Sequence, residues 1–105
     1  MLELNKENFQ AEVLDCEQTL LVDFWSESCE PCKALLPHIE KLEETYGGDI
    51  KFAKLDTSKA RRLAIGQKVM GLPTIAIYKG GEKVEELTKE DATPEAIEAM
   101  IKNHL

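Results

Sequence analysis

The stretch TLLVDFWSESCEPCKALL, residues 19–36, places two cysteines three positions apart between an apolar run and a helical pattern. TLLVDF is compact, apolar and of strand length, and Asp23 is its one charged residue. From position 30 to about position 46, apolar residues return at the spacing of a helix. The stretch therefore predicts a strand that leads directly into a helix. Cys29 and Cys32 lie at the junction, where α/β sheets gather their chemistry.

The rest of the chain continues this alternation of strands and helices. The other predicted elements are a helix after Asn5, strands at 50–56, 73–79 and 83–88, a short helix from Thr57 or Ser58 to about Lys68, and a last helix capped by Thr93. A strand, helix and strand in series form a parallel pair with a right-handed crossover, and the turn KGGEK adds an antiparallel hairpin. We therefore expect an α/β fold in which four helices flank a central mixed sheet of four to five strands. We expect one domain that spans residues 1–105.

The composition is that of a globular domain with an excess of acidic side chains. The 105 residues are 43% hydrophobic and 31% charged, and the formal net charge is −7. This charge argues against binding to nucleic acid or to an anionic membrane surface, because both depend on lysine and arginine. The sequence has no signal pattern and no apolar segment of spanning length, and three cysteines do not suit a secreted disulfide scaffold. We therefore expect a cytoplasmic monomer with no nucleic-acid or membrane partner.

Three kinds of site can use a Cys-x-x-Cys pair: a structural disulfide, a metal clip and a reactive dithiol. A structural disulfide gains little here, since closing a loop of four residues gives about 2 kcal/mol, against about 3 kcal/mol for fifteen residues. A tetrahedral zinc site needs four ligands. Beyond Cys29 and Cys32, the only cysteine and histidine residues are Cys16, His38 and His104, and none of them forms a second closely spaced pair. The reactive dithiol is therefore favoured, and no metal is expected.

Cys29 and Cys32 occupy positions that suit thiol–disulfide exchange. At the amino end of a helix, free N–H groups and the helix dipole favour the thiolate of Cys29. Pro31 is tolerated at the start of a helix, and Cys32, one turn further, can attack a mixed disulfide on Cys29. Asp23 is expected to be buried, which raises its pKa and allows it to accept the proton of Cys32. Lys54 in the second strand can face Asp23.

Five segments of the sequence resemble the thioredoxin family. LLVDFW, CEPCK, AKLD, GLPT and YKGGE come in the order and at the spacings of thioredoxins, so the resemblance covers nearly the whole chain. It implies the thioredoxin fold, with Cys29 as the nucleophile and Cys32 as the resolving thiol. It also implies that Asp23 is the buried proton acceptor, that Lys54 is its neighbour and that Pro73 is a cis proline facing the disulfide.

The same resemblance assigns a docking face for substrates. The implied substrate-binding residues are Trp25, Glu30, Pro31, Gly71, Leu72, Pro73 and Thr74. The chain departs from the family on this face: Ser28 stands where the family usually has tryptophan, and Glu30 stands where it usually has glycine. A glycine that commonly precedes the last helix is absent, and Lys89, Glu90 and Asp91 occupy that region. These changes make the docking face more polar and more charged.

The resemblance implies a protein-disulfide reductase that needs no cofactor beyond a redox-active Cys29–Cys32 disulfide. The implied partners are thioredoxin reductase and disulfide-containing protein substrates. The segments KARRLAI and KEDAT make the chain similar to thioredoxins of amino-acid-fermenting anaerobes, which supply electrons to glycine-reductase-type selenoenzymes. The alternative function is a redox-inactive docking subunit of a larger complex. The basic cluster KARR, residues 59–62, is interpreted as a solvated helix face that an acidic reductase can use.

Overall fold

A five-stranded sheet runs through the centre of the computed structural model, which describes residues 1–105. The strands are β1 (Leu2–Leu4), β2 (Leu20–Trp25), β3 (Lys51–Asp56), β4 (Thr74–Lys79) and β5 (Glu82–Thr88). They lie in the order β1-β3-β2-β4-β5. The first three strands pair in parallel, whereas β4 is antiparallel to both β2 and β5. The expected mixed sheet is confirmed with five strands, and β1 is the strand that the sequence pattern does not predict.

Four helices cover the two faces of this sheet, as expected. They are a short π-helical segment (Gln10–Leu14), α1 (Glu30–Tyr46), α2 (Arg61–Gly66) and α3 (Pro94–Lys102). Buried side chains of α1 and α3, such as Ile39 and Ile101, pack with Leu21 on one face, while Val22 packs on the other face with the π-helical segment. Because successive side chains of a strand point to opposite faces, Asp23 lies on the same side of the sheet as Leu21, which α1 covers. None of the helices combines the length and the apolar character that crossing a membrane requires.

One of the three predicted helix caps is confirmed, since the hydroxyl of Thr93 accepts the backbone N–H of Ala96 at 3.1 Å. The predicted cap at Asn5 is wrong, because its side chain accepts two N–H groups at 2.8 and 2.9 Å in the turn that precedes the helical segment, which begins at Gln10. The prediction that Thr57 or Ser58 caps the third helix is wrong. Asp56 accepts the N–H of Ser58 at 3.0 Å and begins a single 3₁₀ turn, after which α2 starts. A cap requires extended backbone, and Asp56 has it as the last residue of β3.

One edge of the sheet brings together the Cys-x-x-Cys segment and the GLPT segment. The strands β2 and β3 both end at this edge, and α1 begins just after β2. The antiparallel strand β4 begins at the same edge, because Phe24 near the end of β2 pairs with Thr74 at the start of β4. A cis peptide bond joins Leu72 to Pro73 directly before β4. The two cysteines and the GLPT segment are therefore neighbours although they are about forty positions apart in the chain.

Candidate active site

Cys29 and Cys32 form a disulfide at the start of α1, with their Cα atoms 5.3 Å apart. Cys29 is the N-cap residue of α1, and its sulfur accepts the backbone N–H of Cys32 at 3.2 Å. The two sulfurs differ in access, because Cys29 is half-buried whereas only 2% of Cys32 is exposed. An incoming molecule therefore meets Cys29 first.

The first turn of α1 holds this geometry at little cost. Pro31 lies within the first two helical positions, where its missing N–H would have no helical partner in any case. The side chain of Glu30 is 82% exposed and lies 3.1 Å from the ammonium of Lys33. The carboxylate of Glu30 is therefore directed to solvent and shared with a cation, which weakens its effect on the neighbouring sulfur.

Asp23 is a buried carboxylic acid beneath the disulfide. Only 2% of it is exposed, and its Oδ1 atom has no hydrogen-bond partner. Burial removes water from the carboxylate and raises the pKa of Asp23 from 3.8 to about 7, while the positive charge of Lys54 acts in the opposite direction. Near neutral pH, Asp23 can therefore both accept and release a proton.

A cavity of about 290 Å³ connects Asp23 with the inner cysteine. Asp23, Cys32, Trp25 and Lys54 all line it, together with Glu27, Lys33 and Leu36. Lys54 is the register partner of Asp23 in the neighbouring strand, as the sequence predicts. Its ammonium makes no ion pair within 4.0 Å and lies 5.5 Å from the ring centroid of Trp25. Lys54 thus packs against the tryptophan that the sequence places beside the active site, and still lies close enough to affect the charge of Asp23.

The predicted substrate segment forms a tight loop around the cis Leu72–Pro73 bond. The hydroxyl of Thr74 donates to the carbonyl oxygen of Gly71 at 2.6 Å and contacts the hydroxyl of Thr88 at 2.9 Å. Only 1% of Thr74 is exposed, so its side chain supports the loop from within. The loop therefore presents its backbone and the side chain of Leu72, which is half-buried.

Lys89 belongs to this loop surface, although the sequence pattern does not single it out as a site residue. Its backbone N–H donates to the carbonyl oxygen of Pro73 at 2.8 Å, and its methylene chain packs over Gly71, so a side chain at position 71 would have to displace the flexible end of Lys89. Lys89 has φ +54°, a conformation that favours glycine. The sequence did carry one signal for this residue, because Lys89 lies in the region where the family commonly has glycine. The structure shows that this change places a cation beside the loop. Lys89, Leu72, Pro73 and Pro31 line one depression of about 370 Å³.

The structure places no group of three or more histidine, cysteine, aspartate or glutamate side chains where it could bind a metal ion. The reactive groups of the site are the Cys29–Cys32 disulfide and the buried Asp23. A dithiol that cycles with a disulfide transfers two electrons and two protons, and needs an outer sulfur, an inner sulfur and a proton acceptor.

Known proteins that are similar to this chain over its whole length share one family. A family model described as Thioredoxin matches residues 1–103. A thioredoxin of Acetoanaerobium sticklandii is 62% identical over the full length of both chains. A thioredoxin of Peptoclostridium acidaminophilum is 57% identical over all of this chain and 96% of its own. Thioredoxin C-2 of Corynebacterium nephridii is 41% identical over 76% of this chain and 74% of its own. The chain therefore belongs to the thioredoxin family, and it is a thiol–disulfide oxidoreductase that reduces disulfides in partner proteins through Cys29 and Cys32.

Proposed function

We propose that Cys29 is the attacking sulfur and that Cys32 resolves the intermediate. The thiolate of Cys29 attacks one sulfur of the partner's disulfide, a mixed disulfide forms, and the first partner sulfur leaves and takes up a proton. Cys32 then attacks the Cys29 sulfur, the second partner thiol leaves, and the Cys29–Cys32 disulfide remains. The observation that carries this order is the difference in access, since Cys32 is buried and Cys29 is not.

Asp23 is proposed as the group that accepts the proton of Cys32. A general base acts best when its pKa lies near the working pH, and the pKa of Asp23 is about 7. Both groups line the cavity of about 290 Å³. That space has room for several water molecules, each of which takes about 30 Å³ in the liquid, so a water can relay the proton. Lys54 is proposed to tune Asp23, because its charge stabilises the carboxylate that forms.

The proposed docking face surrounds Cys29. Pro31 and the Leu72–Pro73 segment line one depression beside the disulfide, which supports their assignment to substrate binding. A partner's extended chain can form backbone hydrogen bonds with the Gly71–Leu72 segment, while Trp25 borders the site from β2. Thr74 contributes by holding the loop, and Glu30 contributes a solvent-facing charge at the rim.

The family and the relatives suggest which proteins give electrons to this chain and which proteins accept them. We propose that a thioredoxin reductase restores the dithiol, that the protein works as a cytoplasmic monomer, and that it needs no cofactor beyond its own disulfide. Two of the most similar thioredoxins come from amino-acid-fermenting clostridia, which supports a further role as electron donor to glycine-reductase-type selenoenzymes. Glycine-dependent oxidation of the reduced protein by a purified glycine reductase tests that role, and no oxidation would contradict it.

A reduction assay with insulin separates this function from that of a docking subunit. The wild-type protein should precipitate insulin chains in the presence of a reductant, whereas the variant with both Cys29 and Cys32 changed to serine should not. Supplying the electrons from NADPH-, ferredoxin- or flavin-linked reductases identifies the source that restores the dithiol. Full biological complementation by the double serine variant would show instead that docking, not electron transfer, is the function.

A further inference from the structure

The charges of this acidic protein are distributed unevenly along the chain. The 25 residues from 57 to 81 contain five lysines and arginines and no aspartate or glutamate. The other 80 residues carry all 20 acidic side chains and eight of the 13 basic ones. One segment of net charge +5 is therefore embedded in a protein of net charge −7. This segment includes α2 and the loop that leads to the cis Leu72–Pro73 bond.

The fold brings three of these five cations together with Lys6 on one surface. Lys59, Arg61, Arg62 and Lys6 line a single depression of about 220 Å³ at the start of α2. All four side chains are exposed, and none of them forms an ion pair. Free arginines are suited to carboxylates, since the guanidinium can donate two parallel hydrogen bonds to the two oxygens.

An apolar groove leads from this basic depression to the redox centre. It has a volume of about 380 Å³, and Arg61 lines both the groove and the basic depression. Ile65 and Met70 both line the groove, and they are 72% and 89% exposed, so two large apolar side chains are left uncovered on this surface. The groove ends at Leu72 and at Ser26, whose carbonyl oxygen accepts the N–H of Cys29 at 3.1 Å.

We propose that this surface selects partner proteins in which an acidic segment, with an apolar side chain, lies next to the disulfide to be reduced. The apolar side chain occupies the groove beside Ile65 and Met70, and the carboxylates bind the cations at Lys59, Arg61, Arg62 and Lys6. At about 0.1 M salt, charges more than about 10 Å away are largely screened, so an acidic segment docked here responds to the local cations more than to the net charge. The proposal rests on the docking face around Cys29 given above, and adds the chemistry of the partner.

An exposed carboxylate beside the disulfide limits where an acidic segment can lie. Glu30 begins α1 next to Cys29 and lines neither the groove nor the basic depression, so carboxylates placed over the start of α1 meet a like charge. A long polyanion such as nucleic acid also fits poorly, because it extends beyond the basic surface onto a protein that is otherwise acidic. A short acidic protein segment matches both the size and the sign of the surface.

Three disulfide-bridged peptides test the proposal. They are identical except that glutamates, lysines or serines flank the disulfide, and each is reduced by the fully reduced protein while the rate is followed in stopped flow. At about 0.1 M ionic strength, where the net charge is screened and the local cations are not, we expect the acidic peptide to react about three to ten times faster than the basic one. The ratio should fall towards one at about 0.5 M salt. It should invert in the double variant Arg61→Glu/Arg62→Glu.

A matched control separates the local surface from the net charge. Lys41→Glu/Lys102→Glu changes the net charge by the same amount, but on α1 and α3, which cover the opposite face of the sheet, and it should keep the preference for the acidic peptide. The proposal is overturned if the wild type reduces the basic peptide faster, or if both double variants lose the preference equally. It is also overturned if a single-stranded oligonucleotide binds the wild type and not the Arg61→Glu/Arg62→Glu variant. The serine-flanked peptide reports the reductase activity itself, so a failure of the proposed function would appear there and not in the ratio.

Discussion

Replacing Asp23 by asparagine should make the protein more stable and less active. Burial raises the pKa of Asp23 from 3.8 to about 7, so the folded state holds its proton over a pH range in which the unfolded chain releases it. The stability associated with this proton is fully present below about pH 4 and is lost as the pH rises to about 7. Above that range the free energy of unfolding stays lower by a constant amount, because the ionised carboxylate is buried in the folded state. The difference between the two pKa values corresponds to about 4 kcal/mol, at 1.36 kcal/mol per pKa unit.

Urea denaturation of the oxidised proteins measures this cost. Asp23→Asn and the wild type should differ in free energy of unfolding by less than about 1 kcal/mol at about pH 4, and by about 4 kcal/mol at about pH 8.5, with the variant more stable. Glu44→Gln is the matched control, because Glu44 is exposed and forms no ion pair, and it should show no such pH-dependent gain. A gain that is the same at both pH values, or no gain at about pH 8.5, would refute the claim that Asp23 is desolvated.

Asp23→Asn should also slow catalysis, although it makes the protein more stable. Asparagine cannot accept the proton of Cys32, so release of a partner from the mixed disulfide should slow by about tenfold or more at neutral pH. Single-turnover reduction of a protein disulfide by Asp23→Asn and by the wild type measures this. Equal rates across the pH range would show that Cys32 loses its proton to bulk water instead.

Three further substitutions have distinct expected effects. Lys54→Met removes the cation that favours the charged form of Asp23, so the pKa of Asp23 should rise above about 7 and the pH profile of single-turnover reduction should move to higher pH. An unchanged profile would mean that Lys54 acts on the tryptophan alone. Lys68→Gly should raise the free energy of unfolding by about 1 kcal/mol, because Lys68 lies two residues after the end of α2 with φ +61°, in the left-handed conformation that glycine adopts without a clash. A lower urea midpoint would contradict this. Glu30→Gln should change the alkylation rate of Cys29 by less than about twofold, since the Glu30 side chain is 82% exposed and ion-paired. A larger change that survives high salt would show that the carboxylate acts directly on the sulfur.

The regular part of the fold could be predicted from local patterns. The strand at TLLVDF and the helix that follows differ in the period of their apolar residues, and that period is a property of the sequence alone. The cap at Thr93 was predictable because a cap is a contact within three residues, whereas the side chain of Asn5 makes the same kind of contact in a turn that precedes the helix. The pairing of Asp23 with Lys54 was predictable because each lies two positions before the end of its strand, and neighbouring parallel strands end at the same edge.

The remaining features depend on contacts that a local pattern cannot contain. The strand β1 has only three residues, too few for an alternation to stand out, and it is stabilised by its parallel pairing with β3. The contact of Lys89 with Gly71 joins two loops that are distant in sequence, and the absence of the glycine usual in the family was its one signal in the sequence. The groove at Ile65 and Met70 was missed for a similar reason, since exposure of an apolar side chain is decided by what the fold leaves uncovered.

The claim that Cys29 attacks and Cys32 resolves is tested most directly by trapping the mixed disulfide. Reduced Cys32→Ser and Cys29→Ser variants, each with Cys16 also changed to serine to remove the free thiol, are mixed with a disulfide-bonded protein and analysed by mass spectrometry. Because Cys29 is the accessible sulfur and Cys32 is buried, the Cys32→Ser variant should accumulate a mixed disulfide through Cys29, while the Cys29→Ser variant should accumulate almost none. Equal trapping by the Cys29→Ser variant, through Cys32, would contradict the proposed mechanism.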